Sequence, residues 1–164
     1  MEALPSPKDT WTFMGLPMSS SREDNQFIFP STSPIDFEPE EALKAVDMIV
    51  ATGAERAYLT HFGCITDLKK CGDKLKYGIH QHEYVRNKLV WEYEERTANN
   101  QSFTDEDMDR IAKRLVRSYF KEELRKHSLP TNSKDLDTLL AMDMKLNAEG
   151  IVVAAKRQIK ALQK

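Results

Sequence analysis

A chain of 164 residues is long enough to bury a core, and its 40% hydrophobic and 30% charged side chains suit one ordinary globular domain. The 26 acidic side chains nearly cancel the 24 basic ones, leaving a formal net charge of −2. No large positive field is therefore available to hold a nucleic-acid backbone or an anionic membrane surface, and neither partner is expected.

The two cysteines, Cys64 and Cys71, stand seven positions apart, a spacing that fits neither a zinc knuckle nor a redox Cys-x-x-Cys. They read as reduced, incidental thiols. The opening Met1-Glu-Ala-Leu-Pro-Ser-Pro has neither the positive region nor the apolar run of a signal peptide. No stretch approaches the roughly 20 apolar residues of a membrane helix. A soluble, cytoplasmic protein is expected.

The first 39 residues hold six of the seven prolines and show no helical period. Within them Gln26-Phe-Ile-Phe29 reads as a short strand that Pro30 stops. Regular structure begins at Glu38-Pro39-Glu40-Glu41, where proline suits the first helical position and the carboxylates favour the positive end of the helix dipole. Leu43, Val46, Ile49 and Val50 then recur on one face, and Gly53 supplies a helix-ending residue. Arg56 to Thr60 reads as a strand leading into the turn His61-Phe62-Gly63.

The rest is helical by pattern. Residues 67 to about 97 carry Leu68, Leu75, Ile79, His82 and Leu89 on a stripe, with Gly72 and Gly78 marking a break. Thr104, followed by Asp105, Glu106 and Asp107, opens the next helix, whose apolar face is Met108, Ile111, Leu115 and Tyr119 and whose end precedes Pro130. A last helix starts near Ser133, with Leu136, Leu139, Met142 and Leu146 inward, and Gly150 interrupts it. The resulting division is 1–66, an extended segment, helix and strand, and 67–164, a helical region. A lone strand in such a chain needs partners.

His61 is the position best placed for chemistry. A histidine at a strand end, followed by an aromatic residue and glycine, can turn its imidazole outward toward a metal while the strand fixes its backbone. The stretch from Phe27 through Pro34 and Phe37-Glu-Pro-Glu to Leu59-Thr-His-Phe-Gly63 resembles the second half of metallo-β-lactamase-fold hydrolases. Leu140-Ala-Met-Asp-Met-Lys-Leu-Asn147 resembles a terminal helix of a subgroup of that family. The resemblance implies an α/β fold, here mostly helical: the C-terminal part of an αββα sandwich followed by a helical extension. It also implies a zinc centre whose bound hydroxide attacks an ester, thioester, amide or phosphoester, with His61 as its last ligand.

The departures are as informative. The family draws most ligands from an upstream His-x-His-x-Asp-His motif, and no histidine precedes His61. Its bridging aspartate sits in Gly-Asp-(Thr/Ala)-Phe-Gly; here Asp9 is the nearest carboxylate, out of register with Gly15. His61 and Asp9 are too few for a catalytic zinc, which takes three protein ligands. Elsewhere, His80 and His82 point about 200° apart on a helix and cannot share a metal; they read as a partly exposed face. His127 fits a helix C-terminus. Glu92, Glu94, Glu95 and the 105–109 run read as solvated faces and a helix start.

Two functions are expected on this reading. The first is the C-terminal part of a zinc hydrolase, incomplete and inactive alone, or completed by a second chain that brings the upstream ligands. The second is a helical interaction or homodimerisation module, with Trp91, Tyr93, Phe103, Tyr119 and Phe120 set among charges.

Overall fold

The structure is a computed structural model that describes residues 13–16, 27–32, 37–59, 63–127, 138 and 140–163. In chain order it contains β1 (Phe13–Leu16), β2 (Phe27–Pro30), α1 (Pro39–Ala51), β3 (Arg56–Leu59), β4 (Gly63–Thr66), α2 (Leu68–Ala98) and α3 (Asp105–Lys126). The last element is α4 (Ala141–Leu162). The described chain is mostly helical, as its periodicity predicts. Asp9 and His61 lie outside the described residues. None of the described helices is long and apolar enough to cross a membrane.

Helix α2 is the centre of the arrangement. It packs against α1, β2, α3 and α4, and α3 and α4 close the bundle against each other. Its ends follow local chemistry. Asp67, in a left-handed conformation at φ 51, accepts a hydrogen bond from the Lys70 N–H at 3.2 Å and so satisfies one orphan donor of the first turn. Helix α3 begins with a reciprocal capping box: the Thr104 hydroxyl accepts from the Asp107 N–H, and the Asp107 carboxylate accepts from the Thr104 N–H. Helix α1 ends as the sequence predicts, at a Gly53 with φ +65.

Gly72 and Gly78 do not break α2. Each marks a place where another element comes too close for a side chain. A Cβ at Gly72 would lie 2.6 Å from a Val50 methyl, and one at Gly78 would lie 2.6 Å from both Pro30 Cδ and the Tyr119 hydroxyl. The helix cost of glycine, about 1 kcal/mol, is offset by tertiary contact. Gly150 likewise does not interrupt α4; it is buried within it. Helix α4 begins at Ala141, and Met142 faces outward, 67% exposed, while Met144, Ala148 and Ile151 face the core. The inward set is shifted by two residues, which on a helix turns the expected stripe away by about 200°.

Two antiparallel hairpins flank the helices. β1 pairs with β2 in the register Phe13↔Pro30 to Leu16↔Phe27. β3 pairs with β4, Arg56↔Thr66 to Leu59↔Gly63, so the expected lone strand has a partner in Gly63–Thr66. β2 is buried along its whole length, with Phe27 and Phe29 each 1% exposed. Their rings meet Phe120 of α3 at 6.4 and 4.8 Å, tilted edge to face, the arrangement aromatic quadrupoles favour. One hydrophobic cluster joins Phe27, Val46 and Ile65 to Ile79, Phe120 and Ile151.

At the end of β2 buried polar groups of the backbone find partners on α4. Asn147, 1% exposed, accepts from the Thr32 N–H at 2.7 Å through Oδ1 and donates from Nδ2 to the Pro30 carbonyl at 3.1 Å. The Thr32 hydroxyl lies 3.0 Å from the Asn147 carbonyl and 3.1 Å from its Oδ1, able to donate to either. Further along α4, Arg157 donates to the Phe37 carbonyl at 3.1 Å and pairs with Glu38 at 3.0 Å. Replacing Asn147 by Ala strands a buried N–H and a buried C=O, so Asn147→Ala is expected to lower unfolding free energy by about 3 kcal/mol. Urea denaturation of the two proteins reads this directly; a loss below about 1 kcal/mol would mean that water replaces the clamp.

Candidate functional site

β3 delivers the chain to positions 60–62, and β4 takes it up again at Gly63. Beside this hairpin lies an apolar recess. A cavity of about 270 Å³ opens between α1, the hairpin and α2, lined by Ile49, Val50, Tyr58, Leu59, Ile65 and Leu75 among others. The alternation of β3 produces it. Ala57 and Leu59 turn toward the helices while Arg56 and Tyr58 face out, Tyr58 being 77% exposed. The hairpin therefore leans on α2 with little cover, and both Ile49 and Val50 of α1 stay partly open to the recess.

The polar chemistry around the recess is sparse. Cys71, at its floor, is buried and donates to the Thr66 carbonyl with Sγ···O at 3.4 Å. Burial pushes its thiol pKa up, which keeps it protonated and unreactive. Cys64 is exposed, and neither cysteine is in a disulfide. Among the described residues no group of three or more His, Cys, Asp or Glu side chains is gathered closely enough to hold a metal ion. The described residues thus do not by themselves make a zinc site.

The other histidines separate as helix geometry requires. His80 faces solvent and lies 3.4 Å from the Glu83 carboxylate. His82 is instead 0% exposed, wholly inside the core rather than on a partly exposed face. The reason is visible in the stripe it shares with Leu75, Ile79 and Leu89, all buried. Its ring sits 5.1 Å from Tyr119 and 6.4 Å from Phe37, edge to face, and among the described residues neither ring nitrogen has a hydrogen-bond partner. Burial alone drives its pKa down to about 3, so it is a neutral ring at physiological pH. The same environment pushes the Tyr119 phenol up.

His127 is the C-terminal cap of α3, the position expected from the sequence. Its ring packs 5.9 Å from Phe27, and partial burial together with the nearby Lys74 charge lowers its pKa. Asp107 is held below the usual carboxylate range by the two hydrogen bonds from Thr104 and by Arg110. Glu92 lies between Lys88 and Arg96 in an i, i+4 ladder along α2, the expected solvated pairing. None of these charges converges on the recess.

No protein-family model, no curated protein and no solved structure matches the chain.

His82 makes the fold sensitive to acid, and the sign follows from its lowered pKa. Below about pH 6.5 the unfolded chain binds a proton at this position that the folded chain does not, so stability falls as pH falls, until about pH 3. From this residue alone the loss is about 1.4 kcal/mol per pH unit, or about 2 kcal/mol between pH 7 and pH 5. A His82→Leu chain, with no buried polar ring to leave unpaired, is expected to lose about 2 kcal/mol less over that interval in urea titrations. Equal losses in the two proteins would show that water reaches the ring.

Proposed function

We propose that the chain is the C-terminal part of a zinc-dependent hydrolase of the metallo-β-lactamase superfamily, in which His61 is one ligand of a centre whose remaining ligands lie outside this chain. The observation that supports the reading is the unit α1–Gly53–β3. A proline-started helix, a left-handed glycine and a four-residue strand run in the order the resemblance implies, ending two residues before His61. The sandwich origin of the fold belongs to the same proposal. It accords with two hairpins that, among the described residues, form separate two-stranded sheets, and with an apolar recess beside the second of them. Two-stranded sheets are weak alone and are ordinarily extended or covered. The substrate class remains that of the resemblance: an ester, thioester, amide or phosphoester.

Alone, the chain is then catalytically silent, because His61 and the out-of-register Asp9 fall short of the three protein ligands that a catalytic zinc requires. A second reading, a helical binding module, is favoured by a separate observation: Tyr77, Tyr84 and Trp91 of α2 face solvent rather than the core.

Elemental analysis of the purified chain after dialysis tests the first reading. The expected result is no retained zinc in either the wild-type chain or His61→Ala, and no turnover of an ester and thioester panel. Added zinc is expected to perturb the His61 ring resonances first among the four histidines, with affinity no tighter than about millimolar for so few ligands. Stoichiometric zinc that survives dialysis and disappears in His61→Ala would show that this chain assembles a site unaided. A zinc response at His80 or His127 with none at His61 would remove His61 from the ligand set.

A further inference from the structure

Helix α2 has an outer face that the bundle does not use. Tyr77, Tyr84 and Trp91 stand seven residues apart, so each returns to nearly the same azimuth, drifting only about 20° per step. They form one stripe about 21 Å long at 1.5 Å per residue. The three rings are 44%, 60% and 49% exposed. Lysine ammonium groups lie against two of them: Lys88 Nζ is 3.7 Å from the centre of the Trp91 ring and Lys126 Nζ 4.7 Å from that of Tyr77. Aromatic rings in this amphipathic setting are the residues most enriched at the centres of protein interfaces.

Two features of the stripe identify what would cover it. The first is charge. On the half of α2 that faces the rings, the N-terminal end carries Lys69, Lys70 and Lys74 against one acid, Asp73, and the C-terminal end carries Glu94 and Glu95 against one base, Lys88. A partner helix must therefore be acidic at one end and basic at the other, in the reverse order, and α2 itself laid antiparallel meets that description. The second is shape. Beside Tyr77 and Tyr84, a groove of about 250 Å³ runs between α2 and α3, with Val85 and Leu115 in its wall and Glu122 and Glu123 at its edge. With a two-fold axis passing near Tyr84, Trp91 of one copy comes opposite Tyr77 of the other, at the mouth of this groove. Lys88, which accompanies Trp91, then approaches Glu122 and Glu123. The same patch supplies both the projecting ring and the recess, which is what a two-fold interface requires.

We infer that the chain forms an antiparallel homodimer through the Tyr77–Tyr84–Trp91 face of α2. The inference gives the binding-module reading its partner and rests on that reading, not on His61, so the zinc measurements above and the measurement below fail independently.

Sedimentation equilibrium of the full chain from low micromolar concentration upward is the test. The expected result is a concentration-dependent monomer–dimer equilibrium that Tyr84→Arg and Trp91→Glu each abolish. Both substitutions lie on an exposed helical face and should leave the urea midpoint unchanged. Neutralising one end of the stripe, Glu94→Gln with Glu95→Gln, is expected to weaken the dimer about fivefold at low salt, the effect of losing a few rim pairs. A wild-type monomer at every concentration overturns the inference. A dimer that survives both Tyr84→Arg and Trp91→Glu places the interface elsewhere and overturns it too. A dimer that tightens when Glu94 and Glu95 are neutralised overturns the antiparallel arrangement, because only a parallel pair sets like ends together.

Discussion

One amide side chain ties the end of β2 to α4. Asn147 answers, from inside a helix, the hydrogen-bonding needs that a strand leaves when it stops at a proline. Pro30 is the last paired residue of β2 and Thr32 lies just past it, both are buried, and a buried backbone group without a partner costs as much as a lost hydrogen bond. Because Oδ1 and Nδ2 are both engaged, Pro30 and Thr32 are held in one register on α4. That seating puts Pro30 against Gly78 and the Phe27 and Phe29 rings against Phe120. It also carries Phe37 over His82, where Arg157 fixes the Phe37 carbonyl. Were β2 and Phe37 to lift, the Phe27, Phe29 and Phe120 rings and the His82 imidazole would meet water together.

Local rules are legible in the sequence wherever the chain answers only to itself. Pro39 and Gly53 bracket α1, Thr104 and Asp107 open α3, and Phe27 to Phe29 form a strand, because each depends on residues a few positions away. What pattern reading misjudges depends on distant partners. Gly72 and Gly78 read as weak points until Val50, Pro30 and Tyr119 are brought beside them. Cys64-Ile65-Thr66 is too short to show a strand period, and its pairing with β3 is a tertiary fact. Asn147 carries no signal of its own apart from its place between Met144 and Ile151 on an inward face, where a polar residue must find a partner. His82 was readable in the same way: the stripe that buries Leu75 and Ile79 buries it as well. The candidate ligands are legible only as positions, since two such residues specify no geometry.

The two halves of the surface differ in what holds them. On the bundle side, α3 and α4 cover α2 with interdigitated apolar faces, and the ion pairs there are mostly i, i+3 or i, i+4 contacts that add little beyond local order. On the hairpin side, β3 and β4 rest on α2 through Ile65 and the partly buried Ala57 and Leu59, with an open recess beneath. Few apolar contacts and an exposed ladder are the marks of a segment that opens at low free-energy cost. The strand leading to His61 therefore belongs to a lightly anchored part of the described chain. A ligand there would be ordered by the centre it joins as much as by the fold.

The aromatic stripe and the recess lie on opposite sides of one helix. Leu68 and Leu75, which line the recess, are about 180° and 160° around α2 from Tyr77 at 100° per residue. Covering one surface leaves the other free, and a two-fold pair joined along α2 would carry two hairpins facing away from its axis. A structural partner that completes the sheet beside β3 and β4 could then bind each copy without competing with the second copy for the same helix. The rigidity of α2 makes this separation possible: it is continuous for 31 residues through both glycines. A break at Gly72 or Gly78 would have turned the two faces toward each other and forced a choice between them.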